Sequence, residues 1–135
     1  MSILVKQQYR YDCGLACMAS VAANYKVRTT ISKIRMLVKE KSNGTNMLDL
    51  SEAAKKIGFI AKAVRGVEHS LTKIPLPAIA HLTIDQHIHH YVVIYEIIDG
   101  HIILMDPAPG KLMRKSIKEF LIQWTGALLL IQPTT

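Results

Sequence analysis

The hydrophobic pattern of the chain changes character at Gly58, and that change most constrains what it can fold into. Before Gly58 the apolar residues keep helical spacing. Cys13 to Tyr25 is an apolar, Ala-rich stretch with Asp12 in the N-cap position, and it reads as a helix. Ile31, Ile34, Leu37 and Val38 mark one face of a second helix that runs to about Lys39. A loop follows at Ser42-Asn43-Gly44-Thr45-Asn46. Asn46 then caps a third helix through Ile57, which Gly58 stops. After Gly58 the chain turns to alternation and β-branched residues. Phe59 to Val64 and Ala78 to Ile84 read as strands, the second following the Pro75-Leu76-Pro77 break. Tyr91 to Tyr95 and His101 to Met105 flank Asp99-Gly100, a hairpin signal. Ser116 and Glu119 form a capping box that opens a short helix to Trp124, and Gly126 to Gln132 is a closing strand. Helices first and an antiparallel sheet after them make an α+β layout, with a helical half packed on a C-terminal sheet.

Other fold and function classes are closed by composition. At 135 residues and 50% hydrophobic, the chain is expected to form a single domain over residues 1–135 with a real core. It carries no repeat, no linker and no disordered tract. The segment Met1 to Lys6 lacks the apolar region of a signal peptide, and runs such as Ala127 to Ile131 are too short to cross a bilayer. Cys13 and Cys17 without a secretion signal point to free thiols in a reducing compartment. The 17 basic residues outnumber the 10 acidic ones, with clusters at Lys26 to Lys41 and Lys111 to Lys118. These read first as solvated surface, and second as attraction to an anionic membrane face or an acidic peptide. Nucleic acid is disfavoured, because the clusters lack interleaved aromatics.

The chemistry gathers around Asp12-Cys13-Gly14. A thiol becomes a nucleophile when something stabilises the thiolate, and a helix N-terminus does so through its dipole and unpaired N–H groups. Cys13 stands at that place, whereas Cys17 lies one turn deeper and reads as a core residue. Gln7 or Gln8 could direct a side-chain amide at a developing oxyanion, and spacing alone leaves both open. His90 heads the first hairpin strand and Asp106 ends the second. A plain two-residue turn at Asp99-Gly100 pairs Ile98 with His101 and carries Asp106 opposite Val93, away from the face of His90. A left-handed bulge at Gly100 would instead set Asp106 opposite Val92, diagonal to His90 and within reach. The expectation is therefore a bulge at Gly100.

The histidines His81, His87, His89 and His90 raise a rival, a zinc site built with Cys13 and Cys17, for which a single Cys-x-x-x-Cys pair is a weak pattern. Candidate binding residues on the helical half are Met36, Met47 and Leu48, together with Trp124; ordinary core packing is the competing reading for each.

Taken in order, Gln7-x5-Cys13 within Asp12-Cys13-Gly14-Leu15-Ala16-Cys17, Gly44-Thr45, Pro77-Ala78-Ile79-Ala80-His81, His90-Tyr91-Val92-Val93, Asp106-Pro107-Ala108-x-Gly110 and Trp124-Thr125-Gly126 closely resemble the bacteriocin-processing cysteine peptidase family, the N-terminal peptidase domain of peptidase-containing ABC transporters. The resemblance implies a papain-like fold with Cys13 as nucleophile, His90 as base, Asp106 as orienting carboxylate and Gln7, not Gln8, as oxyanion donor. It implies no metal and no cofactor. The implied substrate is a bacteriocin, lantibiotic or pheromone precursor whose amphipathic leader helix is removed after Gly-Gly or Gly-Ala at the cytoplasmic face of the membrane. The implied partners are the transmembrane and ATPase domains of a transporter. Neither is present here, so an excised domain or a stand-alone form is expected. One branch of the family binds leaders without cutting them; it has lost the nucleophile, which this chain retains.

Overall fold

The computed structural model describes residues 2–9, 11–38, 45–85 and 88–134. The expected loop at Ser42-Asn43-Gly44 and His87 lie outside the described residues, and the second helix, expected to run to about Lys39, ends at Arg35 instead.

Three helices come first: α1 (Cys13–Asn24), α2 (Ile31–Arg35) and α3 (Met47–Ile57). The Asn46 side chain accepts the Asp49 N–H at 2.8 Å, and Gly58 ends α3 at φ 115°. Strands β1 (Phe59–Arg65), β2 (Ala78–Ile84), β3 (Ile88–Ile98), β4 (His101–Asp106) and β5 (Lys111–Ser116) follow, then α4 (Ile117–Gln123) and β6 (Trp124–Pro133). They form one six-stranded sheet in the order β1-β6-β2-β3-β4-β5, in which every pairing is antiparallel. Ser116 and Glu119 make the capping box at the start of α4.

Strand alternation gives the sheet two buried faces. Ile79, Tyr91, Val93, Met105 and Leu129 pack against α1, α2 and α3. Ala80, Val92, Ile94, Leu104 and Leu128 pack with Leu71 and with Phe120 and Trp124 at the α4 end. Strand β5 was not expected from the sequence, which took Lys111, Arg114 and Lys115 as helix or loop surface; Lys111 and Arg114 are indeed exposed, but on an edge strand. The residues of β5 are depleted in strands by nature, but β4 supplies a pairing partner along the whole segment. Charged residues suit such an edge because they resist pairing with another chain.

A correction concerns the hairpin. The turn at Asp99-Gly100 is a plain two-residue turn with both φ values left-handed, 50° and 72°, as Asp-Gly allows. Ile98 pairs with His101, Ile97 with Ile102 and Glu96 with Ile103. Ile94 then pairs with Leu104 and Val93 with Met105, so the extra residue is Tyr95 and not Gly100. The net shift is the one His90 requires: continued, the pairing sets Asp106 opposite Val92. Tyr95 is held in the bulge by its hydroxyl, which donates to Ser20 of α1, while the Ser20 hydroxyl donates to the Ile3 carbonyl. The bulge thus ties together the sheet, the first helix and the N-terminal segment.

Tyr95→Phe removes this bond and leaves Ser20, which is fully buried, short of its donor. It should lower unfolding free energy by about 1–2 kcal/mol, measured by urea denaturation.

Candidate active site

At the end of the sheet where β3 begins and β4 finishes, His90 Nε2 lies 2.7 Å from Asp106 Oδ1. This commits one ring nitrogen, and the ring also meets the thiol of Cys13, the first residue of α1, which interacts with it. Cys13 and His90 are each only 8% exposed. Burial disfavours the charged imidazole, yet hydrogen bonds to Asp106 and Cys13, with their charges, outweigh it and lift His90 to about 9. Burial likewise works against the Asp106 carboxylate, but bonds from the His90 ring and the Ala108 N–H hold it below its usual range. A thiol, an imidazole and a carboxylate linked in this order can form a thiolate–imidazolium pair and shuttle a proton.

Cys17, expected as core, is fully buried, and burial pushes its thiol well up. Gln7 is brought to the group by its backbone, whose N–H donates to the Pro107 carbonyl at 2.8 Å, next to Asp106 in the chain. The Gln7 side chain donates to the Tyr9 carbonyl at 3.3 Å. Gln7 is half-buried and Gln8 exposed.

Asp12 occupies the N-cap position, but its side chain does not cap α1. The carboxylate turns back to accept the Tyr9 N–H at 3.0 Å and the Arg35 guanidinium at 2.8 Å. Arg35 also lies over the Tyr9 ring, 5.5 Å from its centroid. The carboxylate that directly precedes the thiol in the chain is therefore paired with a cation from α2. Sequence reading missed Arg35, which it left in a solvated cluster, because the partner lies 23 positions away and no local spacing announces it. Tyr91 was missed in the same way. Its hydroxyl donates to the Thr45 carbonyl at 3.2 Å. A Cβ on Gly14 would come within 2.9 Å of Thr45 Oγ1, 3.0 Å of Leu50 and 3.3 Å of Tyr91. Gly14 thus does more than leave the thiol open; it lets the start of α1 seat against α3 and the sheet.

His81 and His89 are used elsewhere. His81 Nδ1 lies 3.0 Å from Thr125 Oγ1, and His81 Nε2 lies 3.0 Å from His89 Nδ1. Among the described residues no group of three or more His, Cys, Asp or Glu side chains is placed to hold a metal ion, so the rival zinc site has no counterpart there.

Of the candidate binding residues, Met36 and Leu48 are 85% and 70% exposed. Between α3 and the segment that follows α2 runs a groove of about 290 Å³, lined by Leu37, Val38, Asp49, Glu52 and Lys56. Met47 is half-buried against the core. Trp124 follows the core reading: it packs on Phe120 in the α4 core, and its Nε1 donates to the Ala127 carbonyl. An amphipathic ring ending a helix has the same sequence signature whether it lies in a groove or in the core.

NMR titration of the His90 ring should show it protonated through neutral pH, losing its proton as pH rises through about 9. Asp106→Asn removes the charge that favours the imidazolium, so the midpoint should move to lower pH; an unmoved midpoint would contradict the coupling.

Comparison with known proteins places this geometry. The peptidase C39 family matches residues 2–135. The chain is 38% identical over 98% of its length to the lactococcin-G-processing and transport ATP-binding protein of Lactococcus lactis, and 34% identical over 91% to the pediocin PA-1 transport/processing ATP-binding protein of Pediococcus acidilactici. It spans only 19% and 17% of those proteins. The peptidase domain of Streptococcus ComA, a bi-functional ABC transporter of a quorum-sensing pathway, superposes with a TM-score of 0.92 at 33% identity, covering 99% of this chain and 100% of that one. A double-glycine-motif protease from an AMS/PCAT transporter, solved with its leader peptide, superposes with a TM-score of 0.90 at 28% identity, covering 99% and 93%.

Proposed function

We propose, for a chain that belongs to the peptidase C39 family, that it is a cysteine endopeptidase removing leader peptides from bacteriocin, lantibiotic or pheromone precursors after Gly-Gly or Gly-Ala. The observation that carries this reading is the hydrogen-bonded series Asp106–His90–Cys13 at the start of α1.

In the reaction, the Cys13 thiolate attacks the carbonyl carbon of the second small residue, and the electron pair of the C=O bond moves to oxygen. The Gln7 amide and first-turn N–H groups of α1 stabilise that oxyanion. As the C–N bond breaks, the His90 imidazolium gives its proton to the leaving amine. Water then attacks the thioester with neutral His90 taking its proton; the C–S bond breaks, the leader leaves with a free carboxyl group, and the thiolate–imidazolium pair is restored. Asp106 keeps the ring oriented and its charge balanced. No metal or organic cofactor takes part in these steps.

A channel too narrow for any Cβ would explain selectivity for two small residues. The groove between α3 and the segment that follows α2, lined by Leu37 and Val38 together with Asp49, Glu52 and Lys56, offers both apolar and charged contacts to an amphipathic leader helix. A relative at 28% identity has been solved with a leader peptide, which supports leader binding by this domain. The relatives are transport proteins about five times longer than the matched segment. We therefore assign this domain to the cytoplasmic face of the membrane, beside transmembrane and ATPase domains that export the product.

Incubated with a synthetic precursor bearing an amphipathic leader that ends in Gly-Gly, the wild type should give, by mass spectrometry, one product cut after the second glycine. Cys13→Ala should give none while still binding the peptide; an identical product from both would remove Cys13 as nucleophile. Binding without cleavage by the wild type would make the domain a silent leader receptor. Gln7→Ala should lower kcat by roughly 10²–10³-fold in a continuous peptide-cleavage assay.

A further inference from the structure

We propose that Gly110 is a positioning residue for the oxyanion donor: the absence of a side chain there lets the segment carrying Gln7 lie against the turn that carries Asp106. The inference rests on the reading of Gln7 given above.

The turn between β4 and β5 serves two parts of the site at once. Asp106 Oδ1 accepts from His90 Nε2 at 2.7 Å and from the Ala108 N–H at 3.0 Å, so the turn's own backbone holds the carboxylate in place. The Asp106 carbonyl accepts the Gly110 N–H at 2.9 Å, which closes the turn. The Pro107 carbonyl accepts the Gln7 N–H at 2.8 Å. The N-terminal segment is therefore moored to this turn, and the mooring point is one residue from the carboxylate.

Gly110 sets how closely the two can approach. A Cβ built on it would stand 2.7 Å from Lys6 Cβ, 3.0 Å from Lys6 Cα and 3.3 Å from Lys6 Cγ. Carbon atoms rest at about 3.5–4.0 Å, so any side chain must push Lys6 away by about 1 Å. Because Lys6 Cα is among the crowded atoms, rotating the lysine side chain does not relieve the contact. Gln7 is the next residue and moves with it. A displacement of about 1 Å is enough to spoil a catalytic hydrogen bond, a loss on the order of 10²-fold in rate.

Gly110 also has φ +69°, a conformation that disfavours L side chains on its own account. Gly100 separates the two effects. Its φ is +72°, nearly the same, and nothing lies within 4 Å of a Cβ built there. Gly100→Ala therefore carries the backbone strain without the crowding. Asn tolerates left-handed φ better than Ala, so Gly110→Asn and Gly100→Asn form a second pair in which the strain is reduced and the crowding at residue 110 is kept.

The test compares both pairs with wild type and Gln7→Ala. The readouts are thermal melting, kcat and KM on a double-glycine precursor, and the rate at which iodoacetamide alkylates Cys13. Alkylation needs the thiolate but no oxyanion donor, so a general disturbance of the site would slow it. The expected result is similar melting temperatures within each pair, a kcat on the order of 10²-fold lower for both residue-110 variants, and KM and alkylation rate near wild type. Residue-100 variants should keep wild-type kcat. If the residue-110 variants turn over like their residue-100 partners while Gln7→Ala is impaired, the positioning role is overturned. If Gln7→Ala itself keeps wild-type kcat, the oxyanion reading fails first. Alkylation slowed in parallel with kcat would also overturn the proposal, since the damage would then reach Cys13 and His90.

Discussion

One surplus residue in β3 decides which side of the sheet Asp106 occupies. Strand side chains alternate with a period of two, so moving the register by one exchanges every position between the two faces. Without Tyr95 in the bulge, Asp106 would face Val93, and His90 would lose its carboxylate. The pairing of Ile94 with Leu104 and Val93 with Met105 follows from the bulge, and so does the Asp106–His90 contact at 2.7 Å. The bulge is secured by a buried hydroxyl chain through Ser20 to Ile3 and not by the turn. Its position therefore depends on α1, the same helix that presents Cys13.

The α+β layout was legible because Gly58, Asp99-Gly100 and the Ser116–Glu119 capping box each carry a local signal. Cys13 was singled out by its place after Asp12 at a helix start, while His90 and Asp106 as its partners, and His90 over its neighbouring histidines, came from the family resemblance. What the sequence concealed was non-local. The hairpin reading placed the bulge at Gly100, since glycine is the residue that announces left-handed backbone. A bulge at a tyrosine announces nothing, and it forms there because of a partner 75 residues away. Strand β5 was hidden by its lysines, and Arg35 by the distance to Asp12. Trp124 gave a signal with two meanings, and the α4 core selected one of them.

Charge around the thiol is arranged by subtraction. Asp12 directly precedes Cys13 and would set a carboxylate against a nascent thiolate. Its engagement with Arg35 and the Tyr9 N–H removes that conflict. An imidazolium then remains as the charge bonded to Cys13. Burial alone would have discharged His90, so the site holds its proton against the environment that shields it.

The bulge at Tyr95 also gives the β3–β4 hairpin two reading frames, one at its tip and another at its base. Residues 96–103 obey the turn, whereas residues 94 and below answer to α1. A change of turn type at Asp99-Gly100 can slide the tip without carrying Asp106 to the wrong face, because the slide is absorbed where the frames meet. The hairpin tip is thereby insulated from the chemistry, and its sequence is free to drift while the His–Asp pair stays fixed.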